Sequence, residues 1–148
     1  MTSSHLDDVH GSARWMARAL NSSGYKADFT PGSLRDVERF MSEHGDHGTA
    51  VAGGLLATDL GPRLFALGTY VGETVQQALG GAWAADGDGP TAGVDIALHL
   101  PDGSIIRPVQ RVIKRFRNGP EDSIVFYGAA LGLTDASTDL RRWFRRRG

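Results

Sequence analysis

The chain has no cysteine among its 148 residues, which excludes disulfides, thiolate metal sites and a cysteine nucleophile. No apolar window approaches ~18 residues, so no segment is expected to span a membrane. The first residues, MTSSHLDDVHGS, have neither a basic start nor an apolar run, and no secretory signal is expected. These absences make the cytoplasm the expected location. Motifs that would name a chemistry are missing as well. The Gly-rich stretch TAVAGGLLATDLG contains no G-K-[ST] and no G-x-G-x-x-G, so a phosphate-cradling loop is not expected. There is no G-x-S-x-G nucleophile elbow. DGDGP at 86–90 lacks the alternating ligands and closing glutamate of a calcium loop and reads as a hairpin loop. His44, Asp46 and His47, with Glu43 nearby, find no further ligand at a workable spacing. Gly45 and Gly48 interrupt the helix that would align the two histidines, so they read as a solvated helix end. No metal or cofactor is expected, and no internal repeat or long linker occurs.

What is present is a globular composition. Hydrophobic residues make up 41% and charged residues 22%, near the usual values for folded domains. The length suits one domain, 1–148, able to bury roughly 68–70% of the surface of its unfolded chain. The net charge of −1 hides an asymmetry: residues 1–102 hold six Lys/Arg and thirteen Asp/Glu, whereas residues 103–148 hold ten and four. Nine of those ten cations are arginine, the residue suited to planar, bidentate anion contacts, although GC-rich coding also enriches arginine.

Hydrophobic periodicity lays out the chain. Leu6, Val9, Ala13, Met16, Ala17 and Leu20 predict an amphipathic helix over 4–22, with Ser4 as cap and Gly24 as stop. Thr30 as cap, Pro31 at the first position and Phe29 stapled to Leu34 predict a second helix ending at Gly45. Residues 49–58 read as a short helix or a loop. A third helix over 60–79 carries Leu60, Leu64, Leu67, Val71, Val75 and Leu79 as one stripe. Gly68 and Gly72 each cost this helix about 1 kcal/mol relative to Ala, which implies close approach of another backbone.

After Gly80-Gly81 the period changes from helical to alternating. Val94, Ile96, Leu98 and Leu100 predict a half-buried strand, LPDGS at 100–104 a turn, and Ile105–Arg107 the returning strand, with 82–85 as a third. Pro108 opens a helix with Val109, Val112, Ile113 and Phe116 facing inward, stopped at Asn118-Gly119. Pro120-Glu121-Asp122 opens another, through Leu131, apolar almost all round and therefore central to the core or half of an interface. Residues 138–148 form a basic amphipathic terminal helix. The expected class is α+β: helices, then a small antiparallel sheet of about three strands, then further helices.

The series Gly68-x-Tyr70-x-Gly72-Glu73, Leu79-Gly80-Gly81-x-Trp83, Leu100-Pro101-Asp102-Gly103 and Pro108-Val109-x-x-Val112-x-Lys114-Arg115-Phe116-x-Asn118-Gly119-x-Glu121-Asp122-Ser123 resembles a group of small bacterial proteins of uncharacterised function. It covers roughly residues 30–130 and implies a shared fold. Small acidic proteins of similar build that act as immunity or adaptor proteins lend a binding role some support.

Two functional readings follow. The first is a non-enzymatic cytoplasmic interaction module of the partner-binding, adaptor or inhibitor type, with a protein partner or a second copy of itself. Its candidate contact residues are Trp83, Arg111, Lys114 and Arg115, together with Arg141, Arg142, Trp143, Arg145 and Arg146 of the terminal helix. The acidity of residues 1–102 would suit a basic partner. The alternative is a small enzyme or ligand-binding protein with a pocket between helix 60–79 and the sheet. There Glu73 would do general acid–base work beside Tyr70, with Arg111, Lys114 and Arg115 clamping an anion. Against this stands a structural reading, in which Glu73 joins two helices as an ion pair and Trp83 is core. Nucleic acid and peripheral membrane contact are disfavoured, since the acidic remainder repels phosphate.

Overall fold

A computed structural model describes residues 2–84 and 96–133. The loop 86–90, Val94 and the terminal helix 138–148 with Arg141, Arg142, Trp143, Arg145 and Arg146 lie outside the described residues. The fold is α+β. The described helices are α1 (Thr2–Ser22), α2 (Leu34–His44), α3 (Leu60–Leu79), α4 (Pro108–Asn118) and α5 (Ile124–Ala130). One antiparallel hairpin pairs β1 (Gly45–Asp46) with β2 (Thr49–Ala50), and a second antiparallel sheet runs β3 (Ala82–Ala84), β4 (Ala97–His99), β5 (Ile105–Ile106) in that order. In the larger sheet Trp83 stands opposite Leu98 and Leu98 opposite Ile106.

α3 is the centre, packed chiefly against α1 and α4. It is not the amphipathic stripe its sequence suggests: every residue from Ala66 to Val75 is buried. Its two buried threonines are tolerated because their hydroxyls turn back on the helix. Thr69 Oγ1 donates to Ala66 O at 2.7 Å and Thr74 Oγ1 to Tyr70 O at 2.9 Å, which leaves no orphaned donor. The two glycines admit the neighbours. A β-carbon at Gly68 would lie 2.5 Å from Val109 Cα, and one at Gly72 would strike the Trp83 ring. Gly68 therefore meets a backbone, as its spacing implies, while Gly72 meets an indole.

α1 stops where expected. Gly24 takes φ 91°, and Tyr25 N–H reaches back to Leu20 O at 3.0 Å, the left-handed helix stop that favours glycine. The start of α2 differs from expectation. Pro31–Ser33 form a 3-10 turn before α2 begins at Leu34. Thr30 caps nothing, because its hydroxyl and N–H both turn to Asp28 Oδ1, at 2.6 and 3.2 Å. Residues 45–50 also differ, forming a hairpin. His47 and Gly48 both take positive φ, 45° and 92°, the pairing a two-residue hairpin turn requires. Gly48 N–H donates to Phe116 O at 2.7 Å and ties the hairpin to α4.

The last described helix is shorter than its apolar run. Pro120–Asp122 form a 3-10 turn, and Ser123 Oγ caps α5 by accepting from Phe126 N–H at 3.3 Å. Ile124 and Gly128 face the core, whereas Phe126 is 72% exposed. The helix is thus one-sided rather than central.

Candidate functional site

The residues expected to share a pocket around Tyr70 and Glu73 are not brought together. Tyr70 is fully buried and its hydroxyl is used twice. Ser33 Oγ donates to Thr30 O at 2.7 Å, so Tyr70 Oη must donate to Ser33 Oγ, also at 2.7 Å, while accepting Phe29 N–H at 3.0 Å. Burial raises its pKa. The bond from Phe29 holds that residue at φ 61°, with its ring 4.7 Å from the Tyr70 ring. Glu73 is 7% exposed and turns to α1, where His10 Nδ1 lies against its Oε1. It joins two helices, as the structural reading has it.

The cations go elsewhere. Arg115 is 3% exposed; its Nε donates to Glu38 Oε2 at 2.8 Å and its Nη2 to Ser42 Oγ at 3.0 Å. Glu38 Oε1 in turn accepts Ile124 N–H at 2.8 Å. Arg115 is an internal strut joining α4, α2 and α5, not a contact residue. Arg111 Nη2 and Lys114 Nζ both stand 3.9 Å from Asp122 Oδ1, and the Arg111 guanidinium lies 5.0 Å from the Tyr127 ring centroid. Trp83 is buried against Gly72, which makes it core rather than contact surface.

Of the His44 cluster, Glu43, Asp46 and His47 are exposed, as a solvated helix end would be, but His44 is half-buried and engaged. His44 Nδ1 accepts Leu55 N–H at 3.0 Å, so in the neutral ring the proton is on Nε2, 3.0 Å from Tyr25 Oη. Tyr25 donates onward to Glu43 Oε1 at 2.5 Å. Burial, then this carboxylate, pushes the Tyr25 pKa up to about 12. The network fastens the 51–59 loop to α2.

That loop, α1 and the start of α3 line a recess. It has a volume of about 440 Å³ and is lined by Gly11, Ser12, Trp15, Asp59, Pro62 and Arg63, with Ala66 at its floor. A second recess, about 130 Å³, is lined by Met16, Ala19, Phe40 and Leu55 among others. Trp15 and Arg63 line both. The wall at Leu55 is held at both its backbone groups: His44 takes the N–H, and Arg63 Nη1 donates to the carbonyl. Asp59 holds φ 52°, a left-handed conformation that Asp tolerates better than most residues. The groove is mostly apolar, with one carboxylate and one guanidinium, and its walls come from α1, α3 and the 51–59 loop.

Sequence reasoning passed over Trp15 and Arg63. A signal for Trp15 exists, since it falls outside the apolar stripe of α1 and between two arginines, Arg14 and Arg18. Nothing local marks Arg63, whose position depends on how α3 meets the 51–59 loop. By fold and site this is a small α+β protein carrying a groove built on helices. No protein-family model, curated protein or solved structure matches the chain. Among the described residues no helix is long and apolar enough to cross a membrane.

Proposed function

We propose that this protein is a non-enzymatic cytoplasmic interaction module, of the partner-binding, adaptor or inhibitor type, and that it makes contact through the groove between α1 and α3. One observation carries the reading: Trp15 stands 45% exposed and lines two mainly apolar recesses. A large apolar side chain left open at a concave surface marks a contact site more strongly than one scattered on a convex face. Tryptophan and arginine dominate binding energy at interfaces, and here Trp15 and Arg63 share the same walls.

The test is retention of partners by the tagged full chain from nuclease-treated host lysate, beside its Trp15→Ala variant. Affinities and masses are then measured with purified components. A stoichiometric partner, foreign or a second copy, whose affinity falls roughly 30-fold in the variant supports the reading. A partner held equally by both proteins, or an eluate containing only a metabolite, overturns it.

A further inference from the structure

Resting on that reading of the groove, we infer that its occupant is an acidic segment of a partner protein that inserts one bulky apolar side chain beside Trp15. The argument begins with the cations. Arg14 and Arg18 of α1 flank Trp15 in sequence and, four residues apart, are neighbours on the helix surface. Both are exposed, and neither forms a hydrogen bond or ion pair among the described residues. Lys26, Arg39 and Lys114, by contrast, each have a carboxylate partner. Arg63 stands on the opposite wall. It commits Nη1 to the Leu55 carbonyl, which leaves the rest of its donor fork for an incoming carboxylate.

The surface is therefore basic where the chain as a whole is not. Residues 1–102 hold thirteen acidic and six basic residues, a balance that suits a basic partner. The fold reverses that sign at this face: Arg63 stands on the recess wall, and Arg14 and Arg18 are exposed on α1 close to Trp15 in sequence. Asp59 is the one carboxylate on the walls of the two recesses. It is suited to accept an N–H or hydroxyl from the occupant and keeps the partner's acids out to the rim.

Shape separates a protein segment from the other anionic surfaces. A bilayer is flat and leaves a recess of about 440 Å³ unfilled. Duplex binding draws on about 6–10 phosphate contacts, more than three arginines supply. An apolar anchor in the recess with carboxylates at the rim satisfies both features of the site, and rim charges of this kind steer the encounter.

The test uses the immobilised full chain to select from a displayed random peptide library with no charge bias. Selected peptides are synthesised and titrated against the wild type, Trp15→Ala, Arg63→Gln and the double variant Arg14→Gln/Arg18→Gln, at low and high salt. The expected peptides are acidic and carry a bulky apolar residue. Their affinity falls roughly 30-fold in Trp15→Ala. In the double arginine variant it falls roughly tenfold at low salt and far less at high salt, where exposed charges are screened. Arg14 and Arg18 are exposed and form no ion pair among the described residues, so that variant reads out binding even if Trp15→Ala folds poorly. Selected peptides that are basic or uncharged yet depend on Trp15 overturn this inference and leave the groove reading standing. Peptides indifferent to Trp15, or no peptides at all, overturn both. Phosphatidylserine vesicles and a DNA duplex are titrated in parallel. Binding to either that depends on Arg14 and Arg18, with no acidic peptide selected, assigns the face to that ligand and overturns the inference.

Discussion

At Gly68 a β-carbon would stand 2.5 Å from Val109 Cα, and at Gly72 it would meet the edge of the Trp83 ring. The two positions look alike in sequence but differ in what opposes them. A backbone cannot step aside without moving α4, whereas an indole can be replaced. Gly68→Ala is therefore expected to destabilise the protein by about 2 kcal/mol, in the range of overpacked cores. Gly72→Ala is expected to cost about as much alone and about 1 kcal/mol less when Trp83→Leu is also present, because the residues share one contact. Urea denaturation of the four variants checks both, and additive losses at Gly72 and Trp83 would show that the contact is absent. The glycine spacing is legible in sequence because it breaks helix propensity for no local gain. The partners are not, because Val109 and Trp83 arrive from elsewhere in the chain.

Among the elements, α4 shows how a basic helix is divided by its surroundings. Pro108, Val109, Val112, Arg115 and Phe116 form its buried sector. Arg115 lies three residues after Val112 and seven after Pro108, so its place at the edge of the apolar sector was readable from the period. Its charge led instead to the expectation of a contact residue. The partner that makes burial tolerable, Glu38, sits on α2 and also accepts the Ile124 N–H that begins α5. Removing one member of a buried pair strands the other. Arg115→Met is thus expected to destabilise by about 3 kcal/mol, with part of that recovered in Arg115→Met/Glu38→Gln, where no charge is stranded. Thermal unfolding compares them; a single variant with an unchanged transition would show the strut to be idle. The hairpin at 45–50 escaped sequence reasoning for a different reason. Strands of two residues carry no alternation, and its anchor, the Gly48 bond to Phe116 O, is remote in sequence.

For the whole molecule, the three tyrosines report on three separate joints. Tyr25 bridges the end of α1 to α2, Tyr70 fixes the entry to α2 from α3, and Tyr127 lies against Arg111 of α4. Burial raises all three pKa values, Tyr25 and Tyr127 to about 12, with Arg111 opposing the rise at Tyr127. Unfolded phenols ionise near pH 10. The folded state keeps its protons longer, so this contribution to stability is complete below pH 10 and is lost as pH rises through about 12. Tyrosinate absorbance is expected to appear in that window together with loss of the helical circular dichroism signal. Free titration near pH 10 with the helices intact would contradict it. What the sequence by itself determined is the local grammar: helices near 2–22, 60–79 and 108–118, the turn at 100–104 and the α+β order, since periods, caps and turn residues act over a few positions. Only the tertiary structure decided that α3 is buried all round from Ala66 to Val75, that Tyr70, Glu73 and Arg115 face three different partners, and that Trp15, Asp59 and Arg63 line one groove. Those outcomes depend on where one helix crosses another, which packing across distant segments sets and no local pattern encodes.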